Sequence, residues 1–384
     1  MVNATRITPV LVALATLLSG CEQETPFPTD DELVQLRGMY RLRTPPRDPT
    51  NALADDPRAV ALGKRLFNDP LLSSCGTVSC ATCHPAPGYA DSKAFSQGCG
   101  GETRRHVPTL LNVAFSPWLM WDGRADSLWA QALLPLTDPV EMAGTPALFR
   151  QRLTEDYRAE YLELFGVAPE EETDDNRLQA SLGRLLHAYQ RTLIRVETPF
   201  DEQLLAYLDA VEKEEHQTLP LHFQLKTFLR DGQCALCHKG PMLTDDDYHN
   251  IRLGTEGGTP PADQGRLAGI ETVLASPFNG AGEYSDSRTH GQGKLDAAKN
   301  EDRRLWDGAM RTPTLRNVEL TAPYMHDGRF ATLEEVVDFY DKGGDPDGTF
   351  YGTPAETIVP LDLTDEQKAA LVELLKSMTG TDAP

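Results

Sequence analysis

The apolar and polar positions divide the chain into three stretches. Arg6 precedes Val10 to Leu18, which is apolar except for Thr16 and too short to span a bilayer permanently. It runs into Leu18-Ser19-Gly20-Cys21, small residues directly before a cysteine, as in a bacterial lipoprotein signal. Residues 1–20 are therefore expected to be removed and Cys21 to be lipidated. Glu22 to Pro49 is polar and Pro-rich with little periodicity, so residues 21–50 are expected to be a flexible tether. No later segment is long and apolar enough to cross a membrane.

Helical periodicity is clear late in the chain. Thr332 and Glu335 form a capping box. Leu333, Val336, Val337 and Tyr340 share one helix face, and Gly343 supplies a stop. Tyr340 is thus predicted to point inward. This helix belongs to a repeat. Pro108-Thr109-Leu110-Leu111-Asn112-Val113 opens a stretch ending Met120-Trp121-Asp122-Gly123-Arg124. Pro313-Thr314-Leu315-Arg316-Asn317-Val318 opens one ending Met325-His326-Asp327-Gly328-Arg329, 205 residues later without gaps. At that offset Tyr340 corresponds to Pro135 and His326 to Trp121.

A length of 384 residues favours about two domains. The repeat makes them homologous and sets expected boundaries of 51–215 and 216–384. With 58 acidic against 36 basic side chains, a nucleic-acid partner is excluded, because phosphate binding needs a basic face. Solubility or a cationic protein partner suits the charge better.

Seven cysteines carry the chemistry. Four fall in Cys80-Ala81-Thr82-Cys83-His84 and Cys234-Ala235-Leu236-Cys237-His238. Zinc ribbons place their pairs roughly 15–20 residues apart, whereas these are 154 apart and each runs directly into histidine. Both are C-x-x-C-H sites for covalent haem c, with His84 and His238 as axial ligands. Cys75 and Cys99 remain. In an oxidising compartment they are expected to pair, the alternative being two free buried thiols. Pro135 has no side-chain donor atom, so the haem on His84 is expected to have an open face. Tyr340 is the expected second ligand of the other haem, with Met325 and Met310 as rivals and a core tyrosine as the bland alternative. Glu141, after Gln131 and Pro135, is a candidate to move protons over the open face.

At these residues the chain resembles the bacterial di-haem cytochrome c peroxidase and MauG superfamily, over about Asp55 to Gly380. The resemblance implies a mainly α fold of two cytochrome c-like domains. It implies that Trp121 is the inter-haem tryptophan, that Glu141 is the distal acid–base, and that Gln131 and Pro135 line its pocket. Tyrosine at 340, and no histidine from Pro85 to Arg105, are similar to the MauG branch, whose haems jointly store two oxidising equivalents and withdraw electrons from a tryptophan on a partner protein. Thr321 and Pro323 would offer backbone carbonyls to a calcium ion, although His106 stands where the family has a ligand asparagine. The implied reactant is hydrogen peroxide. The electron source would be a protein side chain or a small cytochrome or cupredoxin. The signal segment sets the expected location as periplasmic, with membrane contact only through the Cys21 lipid and the outer membrane slightly favoured, an anchor that departs from a freely soluble enzyme. A conventional cytochrome c peroxidase and a non-catalytic lipid-anchored electron carrier are the other readings. The long Gly240 to Arg311 region, rich in Gly, Asp and Pro, is expected to be an inserted surface loop.

Overall fold

The computed structural model describes residues 27–255, 263–299 and 303–380. Cys21 and the signal segment lie outside the described residues. The fold is mainly α. Its helices are α1 Asp30–Gly38, α2 Pro57–Phe67, α3 Cys80–Cys83, α4 Leu128–Thr137, α5 Pro146–Asp156, α6 Arg158–Phe165 and α7 Asp175–Gln190. They continue with α8 Pro199–Glu212, α9 Pro220–Lys226, α10 Arg266–Ala275, α11 Arg288–Lys299, α12 Leu333–Asp341 and α13 Asp365–Ser377. A two-stranded antiparallel pair, β1 Tyr248–His249 and β2 Met310–Arg311, sets Tyr248 opposite Arg311.

In the first half α7 packs against both α2 and α4. Asp174 caps α7, and its apolar period buries Leu178, Leu182, Leu185 and Leu186. Glycines let the backbones meet. A Cβ on Gly63 would lie 1.9 Å from the Leu185 carbonyl, and one on Gly183 would lie 2.4 Å from that of Trp129. Either substitution would push the helices apart.

The second core gathers residues from α1, α8, α9, α12 and α13. One expectation changes here. Residues 30–38, expected within the tether, form a capped helix whose Leu36 is fully buried. Each such side chain gives roughly 1.5–3 kcal/mol over leaving it in water, and Phe27 and Met39 join Leu36 in docking the arm to this core. Glu32 of α1 also grips Arg230 at 2.6 and 2.8 Å. Phe200, Leu204 and Tyr207 of α8, which lies inside the expected first domain of 51–215, likewise pack in the second core. Asp201 of α8 is fully buried against Arg316, with contacts of 2.9 and 3.0 Å.

The expected surface loop is also corrected. The repeats lie 154 residues apart at the haem motifs and 205 apart at Pro-Thr-Leu, so 51 extra residues fall between them in the second half. Part of that chain forms α10 and α11. Ile270, Val273, Leu295 and Ala298 pack with Trp118 and Trp306 into a third core.

Candidate haem sites

Both C-x-x-C-H segments are built alike. His84 Nδ1 lies 2.8 Å from the Tyr89 carbonyl, and His238 Nδ1 lies 3.0 Å from that of Leu243. A carbonyl only accepts, so Nδ1 carries the proton and Nε2 is left as the lone-pair donor a metal requires. Burial pulls the His84 imidazole down to about 4, and also lowers that of His238, so both rings are neutral at pH 7. Tyr89 and Leu243 both adopt left-handed backbone, at φ 49° and 52°, which turns their carbonyls toward the rings.

The Pro-Thr-Leu repeat explains what holds those turns. Thr109 donates to the Gly88 carbonyl at 2.6 Å, and Thr314 to the Met242 carbonyl at 2.5 Å. The next amide, of Leu110 or Leu315, reaches the histidine-bound carbonyl itself. The repeated motif is therefore the support of each haem-motif histidine. Sequence reasoning found the motif as a repeat but did not find this role.

A cavity of about 250 Å³ opens in the second half. Cys234, Cys237 and His238 line it, and so do Tyr340, Met325 and Met310. Val336, Val337, Leu371 and Leu375 make its wall apolar, which suits a flat hydrophobic macrocycle. The helix expected over 332–343 runs Leu333–Asp341 with the Thr332–Glu335 capping box in place. Burial pushes the Tyr340 phenol up.

In the first half, Pro135 sits within α4. Gln131, one turn earlier, donates to Met120 Sδ at 3.7 Å, and its Oε1 is buried without a protein partner. Glu141 follows the helix. Burial, and then Asp138, push its carboxyl up, while Arg124 opposes. Cys80 is pushed to about 12, by burial first and then by the neighbouring Cys83 and Glu141. Cys83 is raised by burial first, with Glu141 among the further causes. Glu141 therefore lies within electrostatic reach of both haem-motif sulfurs of this half. Cys75 and Cys99 form a disulfide with a Cα separation of 5.6 Å.

The halves meet on equivalent residues. The Trp121 and His326 rings contact edge-on at 6.5 Å between centroids. Trp121 Nε1 donates to the His106 carbonyl at 2.8 Å, and the Arg311 amide donates to the Trp121 carbonyl at 2.7 Å. Trp121 thus belongs to the first half yet lines the cavity of the second.

Calcium fits poorly. Thr321 and Pro323 line the cavity, but His106 is occupied: its Nδ1 pairs with the Lys93 carbonyl at 2.9 Å and its amide donates to the His326 carbonyl. Among the described residues, the one His/Cys/acid triplet is Cys237, Asp245 and His249. Its cysteine belongs to a haem motif, and calcium needs six or more oxygen ligands.

Two matched pairs of axial-ready histidine and paired thiols, in two homologous mainly helical halves, define a di-haem c-type cytochrome. The family model for di-haem cytochrome c peroxidase matches residues 57–207. The chain is 32% identical to the methylamine utilization protein MauG of Methylorubrum extorquens, covering 98% of this chain and 96% of that one. It is 33% identical to the cytochrome-c peroxidase IdrP1 of Denitromonas iodatirespirans, covering 88% and 86%. The diheme peroxidase BthA of Burkholderia thailandensis superposes with a TM-score of 0.64 at 25% identity, covering 89% and 93%. The chain belongs to the di-haem cytochrome c peroxidase and MauG family, and it is a haem oxidoreductase of peroxidase type that binds two c-type haems.

Proposed function

We propose that hydrogen peroxide is reduced at the haem held by Cys80, Cys83 and His84, and that electrons arrive through the haem held by Cys234, Cys237 and His238. One observation carries this reading: at equivalent positions of α4 and α12 stand Pro135, which can offer iron nothing, and Tyr340, which can offer a phenolate. The iron of a bound haem supplies the redox centre. The protein supplies the rest. Glu141 accepts the proton from the near oxygen of peroxide and returns it to the departing one. Gln131 presents its amide to the same pocket. Trp121 carries electrons between the halves. Tyr340, which lines the same cavity as His238, would offer its phenolate to the second haem and would favour its oxidised form.

The similarity to MauG supports a protein side chain as electron source. The similarity to a cytochrome-c peroxidase supports a second reading, in which a small cytochrome or cupredoxin is the donor. A lipid on Cys21 would hold the enzyme at a periplasmic membrane face. The test is spectroscopic. The ferric protein should show one high-spin and one low-spin haem, and only the first should change at once with peroxide. Two low-spin haems inert to peroxide would end the proposal. Rapid oxidation of reduced small cytochrome c would select the second reading.

A further inference from the structure

We propose that the Cys75–Cys99 disulfide is the positioning element for Glu141, holding the carboxylate over the first haem. The inference rests on the role given to Glu141 above. Glu141 lies in the non-helical stretch that follows α4 at Thr137. That stretch is fixed from two sides. On the helix side, the Met142 amide donates to the Pro135 carbonyl at 3.1 Å, Ala143 to Asp138 at 2.9 Å and Gly144 to Leu136 at 2.8 Å.

On the other side, three consecutive carbonyls are taken by the cross-linked segments. The Gly100 amide donates to Val140 at 3.0 Å, Cys99 to Glu141 at 2.7 Å and Ser74 to Met142 at 2.9 Å. One donor is a disulfide cysteine, and another immediately precedes its partner. The approach leaves no room for side chains. A Cβ on Gly98 would lie 2.1 Å from the Val140 carbonyl and 2.7 Å from Glu141 Cα, and one on Gly100 would lie 2.1 Å from the Pro139 carbonyl.

The chain around Cys99 is an irregular, glycine-rich loop, and the cross-link ties it to the turn at residues 73–76. Without that tie the three hydrogen bonds must order the loop themselves, against its conformational entropy. Displacement of a reacting group by about 1 Å can cost about 10²-fold in rate. The disulfide therefore acts on the reaction through Glu141 and not by touching peroxide.

Two variants of the full, haem-loaded protein test this. Cys75→Ser/Cys99→Ser removes the cross-link, and Gly98→Ala keeps it but pushes on the Glu141 backbone. Both should retain two haems and the low-spin spectrum of the second. Amide exchange at residues 74, 99 and 100 should quicken in the double variant. In both, reaction of the first haem with peroxide should slow about 10- to 100-fold, and the acidic limb of its pH profile should move lower as the carboxyl gains solvent. Unchanged exchange, or wild-type rates with an unmoved limb in the double variant, would overturn the proposal. Glu141→Gln is run alongside. If it reacts like wild type, the role of Glu141 fails, whereas the exchange data still decide whether the clamp exists.

Discussion

In the two halves, helices α4 and α12 start on equivalent caps, Ser127 and Thr332, and follow the same Asp-Gly-Arg turn. They then diverge in chemistry. Where α12 has Val336 and Tyr340, α4 has Gln131 and Pro135. One half places polar groups without an iron donor. The other places an iron donor in an apolar wall. The shared parts, histidine carbonyls and Pro-Thr-Leu clamps, hold each haem, whereas the diverged helix faces decide what each can do. Under the proposed function, this difference on a common scaffold is what would separate a reactive centre from a relay.

The comparison breaks most sharply at Glu141. Glu141→Gln should keep both haems yet slow peroxide reaction by about 10²–10⁴-fold, as measured by rapid mixing. The sign of the pH dependence follows from the raised carboxyl. Below its pKa Glu141 is protonated and cannot accept a proton. The rate should therefore rise with pH through a limb above the ordinary carboxylate range, and Glu141→Gln should abolish that limb.

Arg316 sharpens the contrast in stability. Its equivalent in the first half is Leu111. Arg316→Leu would strand the buried Asp201 and should cost about 3–5 kcal/mol in denaturant unfolding. Loss of less than about 1 kcal/mol would show that the pair is dispensable.

Tyr340→Phe should alter the low-spin spectrum alone, leaving the high-spin haem as it was. An unchanged spectrum would return the ligand role to Met325 or Met310, which line the same cavity. The smallest effect concerns the common scaffold. Thr109→Val and Thr314→Val should each cost about 1 kcal/mol and shift the spectrum of the haem in their own half.

The haem cysteines and histidines were legible because covalent attachment demands a contiguous motif. The capping box and inward face of α12 were legible because helix periodicity is local. What escaped was set by contacts between distant residues. The arm at 30–38 looked like a tether, since a nine-residue helix has little apolar period of its own and folds by docking Leu36. The stretch holding α10 and α11 looked like a loop for its Gly and Asp content. Yet Arg266 of α10 lies over Trp118, Tyr248 and Trp306 at 4.4, 4.2 and 5.2 Å, contacts no local pattern announces. The carbonyls of Tyr89 and Leu243 were hidden because backbone atoms leave no mark in composition.

The asparagines of the repeated Pro-Thr-Leu motif share a partner. Asn112 and Asn317 both take left-handed backbone, at φ 60° and 64°, and both donate from Nδ2 to the Arg195 carbonyl, at 2.7 and 2.8 Å. A single peptide carbonyl thus accepts from both copies of the motif. That peptide lies in the linker joining the copies, so the connection is itself the interface. Two separately encoded halves would lack it. They would also face an association cost of about 4–15 kcal/mol in lost translation and rotation. The connection thus does more than keep the two halves together: it provides the atom on which both are registered.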